Sequence, residues 1–262
     1  MSDHLRQIGS YLGHLVKART RHGVHSPFVY ELISQVLRPG EPVPEAAQVE
    51  RLRDDLMRSE QTIRVNDLGA GSKLFDLPVR RVADIARNSA KQPKHAQMLY
   101  RLARYFRPQE VLELGTSFGI STLYLAMGAD EGRLHTIEGC PQTARIAQHH
   151  FELLKQKNVF PILGSFRTKL PEVLQRIDRL DLAFLDGHHS KEPTLDYFHQ
   201  CLAKSHAGTV IVLDDIHWSK GMEEAWEEIK NDERVTVTID LYQMGIVFLR
   251  KEQAKEHFVL RY

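Results

Sequence analysis

The order of apolar and polar positions divides the chain near Glu110. Before it, apolar residues recur at helical spacing over 5–16, 28–37, 45–60, 79–90 and 94–106. From Glu110 onward, short apolar runs alternate with amphipathic stretches. Strands are predicted over 110–114, 133–138, 160–163, 181–185 and 209–213, with helices over 120–127, 141–157, 168–178, 192–203 and 222–231. Such alternation predicts an α/β fold with a doubly wound sheet. Two last runs, 235–241 and 245–250, flank Tyr242-Gln243-Met244 and predict an antiparallel hairpin. The turn-rich segments 21–27 and 39–44 interrupt the first third. That third is expected to form a helical appendage over 1–91, ahead of a second domain over 92–262.

Chemistry concentrates where the run 110–114 enters Gly115-Thr116-Ser117-Phe118-Gly119. Gly115 and Gly119 remove side chains where backbone must approach a ligand closely. The next strand ends in Glu138, a carboxylate at the strand tip, where a βαβ unit holds the two hydroxyls of a ribose. A dinucleotide is disfavoured, because the spacing of Gly115 and Gly119 does not fit G-x-G-x-x-G and no third glycine follows where that pattern requires one. Glu113, just before the turn, repels phosphate and suits a cationic ligand. A second turn of this kind, Asp67-Leu68-Gly69-Ala70-Gly71-Ser72 after Ile63-Arg64-Val65, is followed by helices instead of an acid-tipped strand. It is expected to be a short hairpin or loop.

Together with Ile162-Leu163-Gly164-Ser165 and the stretches 181–186 and 210–215, these residues resemble the class I S-adenosylmethionine-dependent methyltransferases. More narrowly, they are similar to the small-molecule O-methyltransferases of the catechol and caffeoyl-CoA type, over residues 92–248. The resemblance implies a seven-stranded Rossmann-like sheet closed by the hairpin, S-adenosylmethionine as cofactor and a small-molecule methyl acceptor. It implies cofactor contacts at Glu113, Gly115, Ser117, Gly119, Ser121, Glu138, Gly164, Ser165 and Asp186. Matched residue by residue, a divalent cation (Mg, Ca or Mn) would be held by Asp186, Asp214 and Asp215. Asp215 stands where an asparagine is usual, and Gly187-His188-His189 replaces a lysine-bearing sequence. Asp186 and His189 are the expected catalytic pair, His189 taking the acceptor proton near neutral pH; His188 and His217 are the alternatives. The amino-terminal helices are expected to cover the open strand ends or to build a homodimer contact.

Composition bounds these expectations. A chain of 262 residues with 42% hydrophobic content suits a globular α/β domain with an added segment. The net charge of +1 disfavours a nucleic-acid partner. Bases outnumber acids between Lys73 and Arg107, which reads as solvated helix faces or as attraction for an anionic acceptor. Two distant cysteines, Cys140 and Cys201, no leader-like start and no bilayer-length apolar run lead us to expect a cytoplasmic protein without a membrane partner. Two competing functions remain: a non-catalytic cofactor-binding or interaction protein on the same fold, and a methyltransferase acting on another acceptor class. Base methylation is disfavoured by the lack of an Asn-Pro-Pro-Tyr or Asp-Pro-Pro-Tyr sequence.

Overall fold

The computed structural model describes residues 3–38, 43, 45–65 and 79–262. Two units form by contact: Met1–Arg38 with Ile177–Tyr262, and Pro39–Arg176. The stretch 1–91, expected as one appendage, is thus shared between them. The first unit opens with α1 (Asp3–Lys17) and α2 (Pro27–Leu32). Pro27 starts α2 where a missing N–H costs nothing, and the Ser26 hydroxyl accepts from the Val29 N–H. α2 continues into a π-helical turn, Ile33–Leu37, so the helix expected over 28–37 changes its winding midway.

The second unit runs α3 (Ala46–Arg58), β1 (Thr62–Arg64), β2 (Val79–Arg81), α4 (Val82–Ser89) and α5 (Pro93–Phe106). It continues with β3 (Glu110–Leu114), α6 (Ile120–Gly128), β4 (Arg133–Glu138), α7 (Pro141–Leu153), β5 (Val159–Leu163) and α8 (Phe166–Arg176). β1 and β2 pair antiparallel, with Ile63 opposite Arg80, so β2 takes the first residues of the stretch predicted as helix over 79–90. The turn-like residues 66–72 lie outside the described residues.

Strands β3, β4 and β5 pair in parallel in that order, with Leu114 opposite Ile137 and Glu138 opposite Leu163. Every residue of β3 is buried, which is why its sequence reads as a run and not as an alternation. β5 ends the order and carries Pro161, whose missing N–H is tolerated on an edge strand. Around this sheet, Val49, Leu52 and Leu56 of α3 and Val82 and Ala86 of α4 join one buried cluster with Phe118, Leu123, Tyr124 and Phe151. Each large side chain there contributes about 1.5–3 kcal/mol by leaving water.

The first unit resumes with β6 (Leu180–Leu185), α9 (Lys191–Leu202), β7 (Ser205–Asp214), α10 (Lys220–Asn231), β8 (Val237–Asp240), β9 (Met244–Phe248) and β10 (Glu256–Val259). Its strands lie in the order β10-β8-β9-β7-β6. β6 and β7 are parallel, while β9 is antiparallel to β7 and β8, as expected of the closing hairpin. β10, parallel to β8, was not expected, so these sheets carry eight strands and not seven. Its sequence buries only Phe258 fully, too weak a pattern to mark a strand. Among the described residues no helix is long and apolar enough to cross a membrane. Both cysteines are free and buried, and burial pushes the Cys201 thiol up to about 12.

Candidate active site

In the second unit, the carboxyl ends of β3, β4 and β5 deliver Gly115, Glu138 and Gly164, the edge where α/β sheets bind ligands. Register places Glu113 opposite Thr136. The Glu113 carboxylate is fully buried and accepts three hydroxyls: Ser121 on Oε1 at 2.7 Å, Thr122 and Thr136 on Oε2 at 2.5 and 2.7 Å. Thr136 spends its one proton there, so Thr116, 2.5 Å away, must donate to it. Burial raises the Glu113 pKa, and the three hydroxyl bonds pull against that rise. Two of the donors sit in the first turn of α6, where the helix dipole favours negative charge. Glu113 and Ser121 thus brace the turn from beneath, through hydroxyls that only the register and the helix phase bring to the carboxylate.

Above this brace the backbone is left-handed at Gly115 (φ 100°), Ser117 (φ 48°) and Gly119 (φ 83°). A Cβ on Gly119 would lie 2.6 Å from Phe151 Cε1, so this glycine serves both conformation and the approach of α7. Phe118 is held from behind, its carbonyl 2.8 Å from His150 Nδ1. Glu138 receives the Ser117 N–H on Oε2 and the Cys140 N–H on Oε1, both at 2.8 Å. Burial raises the Glu138 pKa, and the Cys140 and Ser117 amides, the Thr143 hydroxyl and the Gly139 amide oppose that. Gly164, at φ 148°, donates its N–H to the Glu138 carbonyl, and the Ser165 carbonyl accepts from Thr168 and Lys169 at the start of α8.

In the first unit, Asp186 follows β6 and Asp214 ends β7. Asp186, His189 and Asp214 each offer one ligand atom, all within 4.8 Å of one another, and Asp214 is buried. His189 Nε2 lies 3.6 Å from Asp186 Oδ1, and its Nδ1 lies 3.9 Å from Asp215 Oδ2. These gaps exceed hydrogen-bond length. His188 (φ 62°) and Asp215 (φ 53°) hold left-handed backbone, a cost that non-glycine residues bear at functional turns. The carboxylate expected as the third ligand, Asp215, is outside the converging set, and His189 is inside it.

His217 is committed elsewhere: its Nε2 is 2.8 Å from Asp240 Oδ2 and its ring stacks on Tyr242. Asp240 also meets His14 Nε2 at 3.3 Å and accepts the Tyr242 N–H. Burial alone would raise the Asp240 pKa; the bonds from His14 and His217, the His217 charge and the Tyr242 amide outweigh it and hold the carboxyl well below its usual range. A depressed carboxyl contributes stability above its unfolded pKa of about 3.9, and that contribution is lost as pH falls toward the folded value. Asp240→Asn is expected to cost on the order of 2 kcal/mol at pH 7 in urea unfolding, with the gap to wild type closing below pH 4. A gap independent of pH would locate the effect elsewhere than in the charge. No sequence signal joined these residues, since His14 and Asp240 lie at opposite ends of the chain.

The basic excess between Lys73 and Arg107 is in part surface pairing, Arg87 with Asp84 and Arg104 with Asp130.

The glycine turn with its acid-tipped neighbouring strand, on this strand order, defines a class I methyltransferase. Residues 112–216 match a family described as a methyltransferase domain. A catechol O-methyltransferase of Niastella koreensis is 32% identical over 127 residues, covering 47% of this chain and 57% of that protein. A protein of Mycobacterium ulcerans named as an O-methyltransferase is 30% identical over 189 residues, covering 67% of this chain and 72% of its own length. Among solved structures, the O-methyltransferase of Bacillus cereus in complex with SAH superposes with a TM-score of 0.57 at 21% identity, over 84% of this chain and 97% of that one. The chain belongs to the S-adenosylmethionine-dependent O-methyltransferase family. It spans little more than half of the first of these relatives.

Proposed function

We propose that this chain transfers a methyl group from S-adenosylmethionine to a hydroxyl oxygen of a small molecule. The observation that carries the proposal is Glu138, a carboxylate at the tip of β4 whose two oxygens lie side by side and are each oriented by a backbone N–H. A vicinal diol such as a ribose presents two donors at that spacing. Gly115 and Gly119 let the turn backbone approach the cofactor, Ser117 orients Glu138, and Glu113 with Ser121 holds the turn from beneath. Gly164 and Ser165, at the end of β5, suit the adenine end. When bound, S-adenosylmethionine supplies an electrophilic methyl carbon on a sulfonium.

The residues at the ends of β6 and β7 fit a divalent cation, because three ligand atoms converge within 4.8 Å and include a buried carboxylate. Asp186, Asp214 and His189 would hold it, with Asp215 beside His189. A cation there would lower the pKa of a coordinated acceptor hydroxyl. The nitrogen ligand favours manganese over an all-oxygen preference for magnesium or calcium. If His189 is not a ligand, its imidazole takes the acceptor proton. An acceptor with two adjacent hydroxyls, as in the catechol-named relative, suits chelation.

Glu138→Ala is expected to weaken S-adenosylmethionine binding by about 1.5–3 kcal/mol, roughly 10- to 150-fold by calorimetry. Glu138→Gln keeps one acceptor oxygen and should lose less. Wild-type protein indifferent to S-adenosylmethionine would overturn the cofactor assignment. Labelled-methyl transfer to catechols and hydroxycinnamoyl-CoA esters separates the acceptor classes.

A further inference from the structure

Helix α1 is inside out. Its polar side chains face the first unit: Arg6 donates to Glu223 at 3.1 Å and to the Trp218 carbonyl at 2.7 Å, and Gln7 reaches the same carbonyl. Ser10 donates to Glu223, His14 is buried against Asp240, and the Tyr242 hydroxyl donates to the Gln7 carbonyl. The apolar side chains point to solvent, with Leu5 60%, Ile8 57%, Leu12 57% and Val16 88% exposed. Their spacing of three and four residues makes one continuous stripe. Gly9 and Gly13 lie one turn apart along it, and a Cβ built on either meets nothing within 4 Å. Each glycine costs about 1 kcal/mol relative to alanine in an exposed helix, and no neighbour among the described residues requires it. A second backbone approaching closely would.

We propose that α1 is the contact surface for a second copy of this chain, the two helices crossing at Gly9 and Gly13 about a two-fold axis. The stripe carries no charge at positions 5, 8, 9, 12, 13 or 16, so it is complementary to itself, as a two-fold interface requires. With Tyr11 at its margin, the exposed apolar surface is about 500 Å² per copy, so a pair with its flanks reaches the lower end of specific interfaces. A membrane surface fits less well. Interfacial helices keep basic residues on the polar face for lipid headgroups, and here Arg6 is bound inward to Glu223. The proposal does not depend on methyl transfer.

Sedimentation of the full chain is the test, up to about 50 µM so that a micromolar pair is populated. Wild-type protein is expected at twice the 30.1 kDa chain mass. Leu12→Glu is expected to weaken pairing at least tenfold with little change in melting temperature, because the side chain is exposed in the single chain. Gly9→Ala with Gly13→Ala should also weaken pairing, although alanine favours the helix. A monomeric wild type, or a dimer indifferent to both variants, overturns the proposal. So does a monomer that co-sediments with phosphatidylglycerol vesicles and loses this with Leu12→Glu, since the occupant is then a lipid surface.

Discussion

Chelation of divalent cations, or Asp214→Ala, is expected to lower methyl transfer about 100- to 1,000-fold, the range lost when one preorganised charge contact at a reacting oxygen is removed. Asp214 is buried and offers a carboxylate oxygen that lies within 4.8 Å of ligand atoms on Asp186 and His189, an arrangement a divalent cation would join. The variant should leave S-adenosylmethionine affinity within about threefold (0.7 kcal/mol), because the ribose and turn contacts assigned above come from β3 and β4. Added manganese should raise the melting temperature of wild type and not of the variant. Turnover of a labelled methyl group that survives chelator would reject the cation, leaving His189 to take the acceptor proton.

Gly119→Val is the second large effect. The substitution forces a β-branched residue into φ 83° and drives its Cβ to 2.6 Å from a ring atom of Phe151, which is itself buried and has nowhere to move. A cost of about 2–5 kcal/mol is expected, from strain and overpacking together. Because Gly119 closes the turn that carries Ser117, S-adenosylmethionine binding should fall by more than about 100-fold even in molecules that stay folded. Pairing the change with Phe151→Ala should cost less than the sum of the two single changes, because the clash is relieved, and should not restore affinity, since the backbone strain remains. An unchanged dissociation constant in Gly119→Val would remove this turn from the cofactor site.

The sequence carried β3 and β4 to the residue, because a buried strand bounded by a glycine turn and an acid leaves little latitude. It also placed Glu138 and Asp214 at strand ends, a position that follows from period and length alone. It did not reveal the brace around Glu113, because the hydroxyls of Thr136 and Thr122 reach that carboxylate only through register and helix phase. His189, and not Asp215, converges with Asp186 and Asp214, beside left-handed backbone at His188 and Asp215, a feature local composition does not encode. The amphipathic period of α1 was plain. Which of its faces turned inward was not, since that was decided by Glu223 and Asp240, more than two hundred residues away.

The edge strand β5 has a bearing on solubility. Phe160 and Leu163 are 43% and 52% exposed on a strand that ends its sheet, the kind of surface on which another chain can nucleate aggregation. Pro161 sits between them and removes one donor from the row of amides a foreign strand would need. A residue with no part in the chemistry thereby guards the open margin of the molecule, and replacing it with a better strand former would trade local regularity for stickiness.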